Sequence, residues 1–350
     1  MHNRTLCLTK PRLFKYIVTK PLLLASIPYP LFYFMKILFV LSGALLLCGL
    51  VLAKTFWGTP KAYVTSDIPH FWEAVDSLKN ARNRADSIAI IQTLYLDRMS
   101  SEGKKFINIR EYTAAEYVRT LYKYPNYFKT LRVKTNKIAS YQTLLDSTFK
   151  KLKSAIPDYE TPTVCFAIGC FRGGGTTKKD VILMGSEIAL ADSAMDFSEF
   201  KGNLRTTLSA GINLVDLVAH ESIHCQQHHA RNRSLLSIAL QEGTANFLPA
   251  LILHNKIDVS KDQYALAHEC ELWQEFKNQV DNDNLDQWLF NTSTIKNRPP
   301  DLGYFMGMRI CEAYYNRHTN KAEAITTLLD RSKYMELLEQ SGYKGNCAGK

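Results

Sequence analysis

The first 53 residues contain no aspartate or glutamate, and the whole chain contains no C-x-x-C pair, no internal repeat and no low-complexity linker. Without C-x-x-C, a zinc ribbon or a thioredoxin-type redox motif is excluded. A basic block is missing as well. The formal net charge is +10, but Arg4, Lys10, Arg12, Lys15, Lys20 and Lys36 supply six of those charges before residue 54. What remains is spread thinly, so nucleic acid is not the expected partner. The triplet Gly173-Gly174-Gly175 is not followed by Gly-Lys-Ser/Thr, which excludes a phosphate-binding P-loop. Its glycines are expected to supply loose backbone at a hairpin tip.

What is present starts with a leader. From Met35 the chain runs MKILFVLSGALLLCGLVLAKTF, a basic start followed by an apolar run from Ile37 to Leu52 and small residues ending at Ala53. This is the layout of a secretory signal, with Met35 as a second candidate start. The run also approaches the length of a retained membrane anchor. In either case the basic residues precede it, and the positive-inside rule places residues 60–350 outside the cytoplasm. Cys48 follows Leu47, where a lipoprotein signal would want a small residue. The expectation is an exported chain: periplasmic, in the cell envelope, or membrane-anchored.

Beyond the leader we expect one domain over residues 60–350. Residues 67–156 carry apolar positions such as Ile88, Ile91, Leu94 and Tyr95 at helical spacing. Thr163 to Ile168 and Val181 to Met184 read as two short strands of a hairpin, and helical pattern returns from about Leu208. The fold class is therefore α+β, predominantly α, with a small antiparallel β element. Six cysteines remain after the leader, which allows fifteen pairings. Buried thiols are as good a reading as bridges.

The chemistry concentrates in LVDLVAHESIHCQQHH, residues 214–229. On a helix His220 and His224 stand one turn apart on one face, so two imidazoles can converge on one zinc ion. Glu221 lies about 100° round, in reach of a water on that ion. His228 is two turns from His220, about 12 Å along the axis, and zinc–nitrogen bonds are about 2 Å, so one straight helix cannot supply the third ligand. A metzincin would place Gly at 227 and His at 230, but the chain has Gln227 and Ala230. His228 and His229 are expected at the surface or behind the ligands. The third ligand we expect is Glu242, in the next apolar helix, LLSIALQEGTANFLPALIL, where an unpaired carboxylate would be expensive. Asp216 meets the same reach problem as His228, whereas Glu269 and Glu271 sit in a more polar segment that suits solvated carboxylates. Asn246, one turn beyond Glu242, can hydrogen-bond the far ring nitrogen of a ligand histidine.

HESIH followed by EGTAN resembles the gluzincin-type HExxH zinc peptidases. More narrowly, VCFAIGCFRGGGTTKKDVILMGSE, HESIHCQQ, QEGTANF and RPPDLGYFMGMRICEAYY, over roughly residues 160–345, resemble a bacterial domain-of-unknown-function family of predicted zinc-dependent proteases. The resemblance implies a zincin-like fold, with the β element packed on a buried HExxH helix. It further implies a metallopeptidase, a hydrolase in which Zn2+ on His220, His224 and Glu242 activates a water. Glu221 would be the general base and Tyr304 the oxyanion donor, with a peptide or protein substrate lying along the 163–186 hairpin. One position departs: gluzincins carry Asp where this chain has Asn246, and a neutral amide orients an imidazole less strongly, which implies reduced activity. The alternative reading is an exported, membrane-associated zincin-fold protein that binds or scaffolds without turnover.

Overall fold

The computed structural model describes residues 63–228, 233–254, 263–291 and 294–347. The leader, His229 and Ala230 lie outside these residues. Residues 61–350 form one compact unit. Among the described residues it is predominantly helical around one four-stranded sheet, in the order β1 (Tyr63–Val64), β2 (Thr163–Ala167), β4 (Val181–Gly185), β3 (Gly175–Lys178).

The sheet is mixed, and this corrects the expected antiparallel element. β1 and β2 are parallel, as are β2 and β4, while β3 alone runs antiparallel to β4. The true hairpin is thus β3–β4, turning at Lys179 with positive φ, and β4 lies parallel to β2 with β3 on the connection between them. The reason is visible in the side chains. β2 and β4 are buried almost throughout, as central parallel strands are when both faces are covered. The helices Asp67–Ser77 and Ser101–Arg110 pack on this sheet, as does Leu214–Gln226. β3 reads Gly-Thr-Thr-Lys, a polar edge strand with no apolar alternation.

The turn after β2 is held by buried polar groups. Tyr95 and Tyr117 donate their hydroxyls to the Ile168 carbonyl at 2.8 and 2.6 Å. The Glu187 carboxylate, fully buried, accepts from the backbone N–H of Gly169 (2.7 Å) and Phe171 (3.0 Å). Burial raises the Glu187 pKa to about 7 from 4.5, and the two N–H donors offset that push only in part. The folded state therefore keeps a proton that the unfolded chain releases. Its stabilising contribution is whole below about pH 4.5 and is lost as pH rises to about 7, on the order of 3 kcal/mol. Urea midpoints measured across that window should fall with pH, and Glu187→Gln should flatten the fall. An unchanged slope in the variant would assign the dependence elsewhere.

The helix Leu235–His254 is the centre of the second half. It is apolar enough to cross a membrane by length and composition, but 67% of that stretch is buried within the protein. An all-round apolar helix of this kind is a core helix. It packs most extensively on Leu302–Arg317, where Gly243 and Gly307 let the two backbones touch. A Cβ on Gly307 would run into the Ala239 carbonyl, and one on Gly243 into the Gly307 backbone.

At the C-terminal end, Cys270 and Cys347 form a disulfide with Cα atoms 4.9 Å apart. Cys165, Cys170 and Cys311 are buried thiols, and Cys225 is half-buried. Glu269 corrects a further expectation. It is 2% exposed rather than solvated, paired with Arg309 at 2.9 Å and accepting from the Tyr343 hydroxyl at 2.7 Å.

Candidate metal site

Asn213 starts the HExxH helix, Leu214–Gln226, its side-chain oxygen accepting from the N–H of Val215 and Asp216 at 3.0 and 3.4 Å. Val218, Ala219, Ser222 and Ile223 are fully enclosed, which leaves His220 and His224 facing the neighbouring helix. That neighbour, Leu235–His254, runs back alongside. Gln227 meets Gln241, His224 meets Glu242 and His220 meets Asn246, an order that only antiparallel helices produce.

The structure brings the three expected ligands together. His220 Nε2 and His224 Nε2 are 3.0 Å apart, and Glu242 Oε2 lies 3.4 and 3.2 Å from them. A tetrahedral ion with bonds of about 2.0–2.1 Å holds its ligand atoms about 3.3 Å from one another. Among the described residues, this is the one group of His, Cys, Asp or Glu side chains that converges in this way.

The remaining ring nitrogens decide what the triangle wants at its centre. His220 Nδ1 lies 2.8 Å from Asn246 Oδ1, and His224 Nδ1 lies 2.8 Å from Gln227 Oε1. Amide oxygens only accept, so each imidazole donates its Nδ1 proton and presents a lone pair at Nε2. Two Nε2 atoms and a carboxylate then point at one spot, an arrangement that repels itself unless a cation, a proton or a metal ion, sits there. The pocket's proton affinities lean the same way. For His224 burial opposes charging, yet the hydrogen bond and charge of Glu242 raise its pKa to about 9. Burial likewise opposes the Glu242 charge, and the two imidazoles hold it far below the ordinary carboxylate range.

Glu221 is 7% exposed, and burial raises its pKa, with the neighbouring imidazoles pulling the other way. The β3 backbone covers it. A Cβ on Gly175 would stand 2.6 Å from Glu221 Oε1, and the Gly175 carbonyl is held by Arg110 at 2.9 Å. The triplet is therefore a close approach to the site rather than a loose tip. Tyr304 also reaches the site. Burial and the charge of Glu242 push the phenol far up. Asp216 is occupied elsewhere, bonded to His254 at 2.9 Å, and His228 is exposed, its backbone paired with Leu329 and Arg331.

Two participants escape the sequence. Gln227 stands three residues after His224, just past the end of the helix, where no periodic signal marks it. Arg110 comes from a distant helix and leaves no local signal. Asn246→Ala and Gln227→Ala should each weaken metal binding by roughly ten- to a hundred-fold, the usual range for partners of ligand histidines. Asn246→Asp should bind at least as tightly, because a carboxylate raises ligand basicity. Competition titration with a chelating dye reads all three, and an unchanged affinity in both alanine variants would remove the orienting role.

The model of the family described as gliding motility protein GldB matches residues 70–345, well over half of the chain. No curated protein and no solved structure is detectably similar to it. The match overturns the membership read from HESIH and EGTAN: the family is one of motility proteins and not of zinc peptidases. Hydrolase, metalloprotease and gluzincin peptidase are accordingly withdrawn as descriptions of this protein. Glu221 and Tyr304 remain beside the site without peptide hydrolysis to serve. The family's lipoprotein label agrees with an envelope location, and it reopens the lipid anchor that Leu47 argued against, with Cys48 in the leader outside the described residues. The chain belongs to the gliding motility protein GldB family.

Proposed function

We propose that this chain is an envelope-anchored binding protein of the gliding apparatus that holds one zinc ion on His220, His224 and Glu242 and does not turn over substrate. The convergence of three acceptors with both Nδ1 protons already committed is the observation that carries the zinc. Zinc suits two imidazoles and a carboxylate at these separations. The framework we assign is zincin-like: an HExxH helix under an edge strand, with its third ligand on the return helix. In this role the ion joins two core helices, and Glu221 supplies charge beside it under the β3 backbone.

The partner we assign is another protein. Nucleic acid is not assigned, because the sequence beyond the leader carries no long basic run. The N-terminal segment keeps the chain at the membrane, and the Cys270–Cys347 bridge suits an oxidising compartment.

Complementation separates scaffold from catalyst. In a gliding strain deprived of its own copy, Glu221→Gln keeps the shape and the metal and should restore surface spreading, whereas Glu242→Ala should not. Failure of Glu221→Gln to restore spreading, with zinc still bound, would mean that Glu221 does chemistry, and the reading without turnover would fall.

A further inference from the structure

A face far in sequence from the zinc site has its own chemistry. A groove of about 330 Å³ opens between the helix Asp67–Ser77 and the paired helices Ala114–Lys123 and Pro125–Thr135. Its walls are apolar: Val75, Leu78, Leu121 and Phe128, with Tyr122 at the lip, 61% exposed. Tyr122 also lines an adjoining pocket of about 610 Å³ whose lining includes Arg82, Arg84, Arg119 and Lys123.

The charges around this face do not balance. Arg132 is neutralised by Asp76 through two bonds of 2.6 Å, and Arg82 by Asp86 at 2.8 Å. Glu73 is taken by Arg98 at 2.8 Å. Arg84, Arg119, Lys123 and Lys129 are exposed and make no ion pair among the described residues, although Lys123 lies over the Tyr124 ring at 4.9 Å. An apolar groove with an exposed tyrosine at its lip and four uncompensated cations around it matches a layered surface, apolar below and anionic above. A bilayer boundary has that layering. Lysine and arginine stems cover the apolar part while their heads reach phosphate, and tyrosine sits between the two.

The chain is also tethered close by. Ten residues, 53–62, separate the end of the apolar leader from Tyr63, a contour of at most about 36 Å. The helix that supplies Val75 begins at Asp67. We propose that this face docks on an anionic phospholipid bilayer, the groove at the acyl boundary and Arg84, Arg119, Lys123 and Lys129 on headgroup phosphates.

Full-length protein reconstituted through its N-terminal segment tests this by hydrogen exchange in two kinds of vesicle, pure phosphatidylcholine and phosphatidylcholine rich in phosphatidylglycerol. Each Lys or Arg near an anionic surface is worth about five-fold in partition, so amides of residues 114–135 should exchange about ten-fold or more slowly in the anionic vesicles. High salt should erase the difference, because it screens exposed charges. So should reversing all four cations to glutamate, with the amides of the Leu214–Gln226 helix unchanged as the folding control. If that variant does not fold, Arg119→Glu and Lys123→Glu singly should each lose part of the effect. Equal exchange in both vesicles overturns the proposal. Slowing that appears in lipid-free detergent as protein concentration rises would assign the face to a second copy of the chain. Slowing produced by inorganic phosphate alone would assign it to a free anion. Slowing produced only by an acidic protein would assign it to such a partner. Each of these three results overturns the bilayer.

Discussion

If the chain holds zinc as proposed, Glu242→Ala should lose it to a dilute chelator, whereas Glu269→Ala should keep it. Glu242 Oε2 is one corner of the ligand triangle, at 3.2 and 3.4 Å from the two imidazole nitrogens. Its removal leaves two histidines on one helix, too few to hold the ion against competition. Glu269 is as buried as Glu242 but is satisfied by Arg309 and Tyr343, so its loss leaves Arg309 with Glu312 alone and takes the acceptor from the Tyr343 hydroxyl, lowering stability away from the His220, His224 and Glu242 cluster. Inductively coupled plasma analysis after dialysis against chelator, alongside urea unfolding, separates the two effects. A Glu242→Ala protein that retained stoichiometric zinc would remove Glu242 from the ligand set.

Gly307→Val should be among the most damaging substitutions in the chain. The Leu235–His254 and Leu302–Arg317 helices meet backbone to backbone there, and any Cβ on Gly307 enters the Ala239 carbonyl. Two effects compete in the milder Gly307→Ala. Helix propensity gains about 1 kcal/mol, while overpacking a fitted interface costs about 1–3 kcal/mol. Backbone cannot move aside as a side chain can, so the overpacking wins and the alanine variant is net destabilised. Valine adds two methyls and should leave little folded protein at physiological temperature. Because Gly243 faces Gly307 across the same contact, forced separation also displaces Glu242, and residual folded protein should bind zinc more weakly. Gly243→Ala should behave like Gly307→Ala. Urea midpoints equal to wild type for both alanine variants would show that the helices are not held at this distance.

The convergence of His220, His224 and Glu242 was legible because its cues are local. His220 and His224 share a turn, and Glu242 stands in an apolar run where burial without a partner is costly. Asn246 was visible as the residue one turn from Glu242. Gln227 makes the matching contact to His224 Nδ1, and its place just past the end of the helix gives no periodic signal. The sheet was harder. β2 and β4 announced themselves as apolar runs, but nothing in either run says that they pair in parallel, with β3 returning along the outer edge. Strand periodicity reports burial and carries no information on direction. Glu269 looked solvated because its neighbours in sequence are polar, whereas its partners arrive 40 and 74 residues later.

The functional expectation went astray at a different step. HESIH with a downstream glutamate specifies ligand geometry, and the structure assembles that geometry. Ligand geometry does not by itself specify a reaction, since one constellation can activate a water or tie two helices together. Family membership, which spans residues 70–345 and not only the motif, is what removes the peptidase.

The most direct test of the account is X-ray absorption at the zinc edge on the purified full-length chain. One zinc per chain is expected, with two imidazole nitrogens and carboxylate oxygen at about 2.0–2.1 Å, and a first shell that changes in His224→Ala. A chain equilibrated with excess zinc and then dialysed that carries no metal, or carries it in an unchanged shell after His224→Ala, would contradict it.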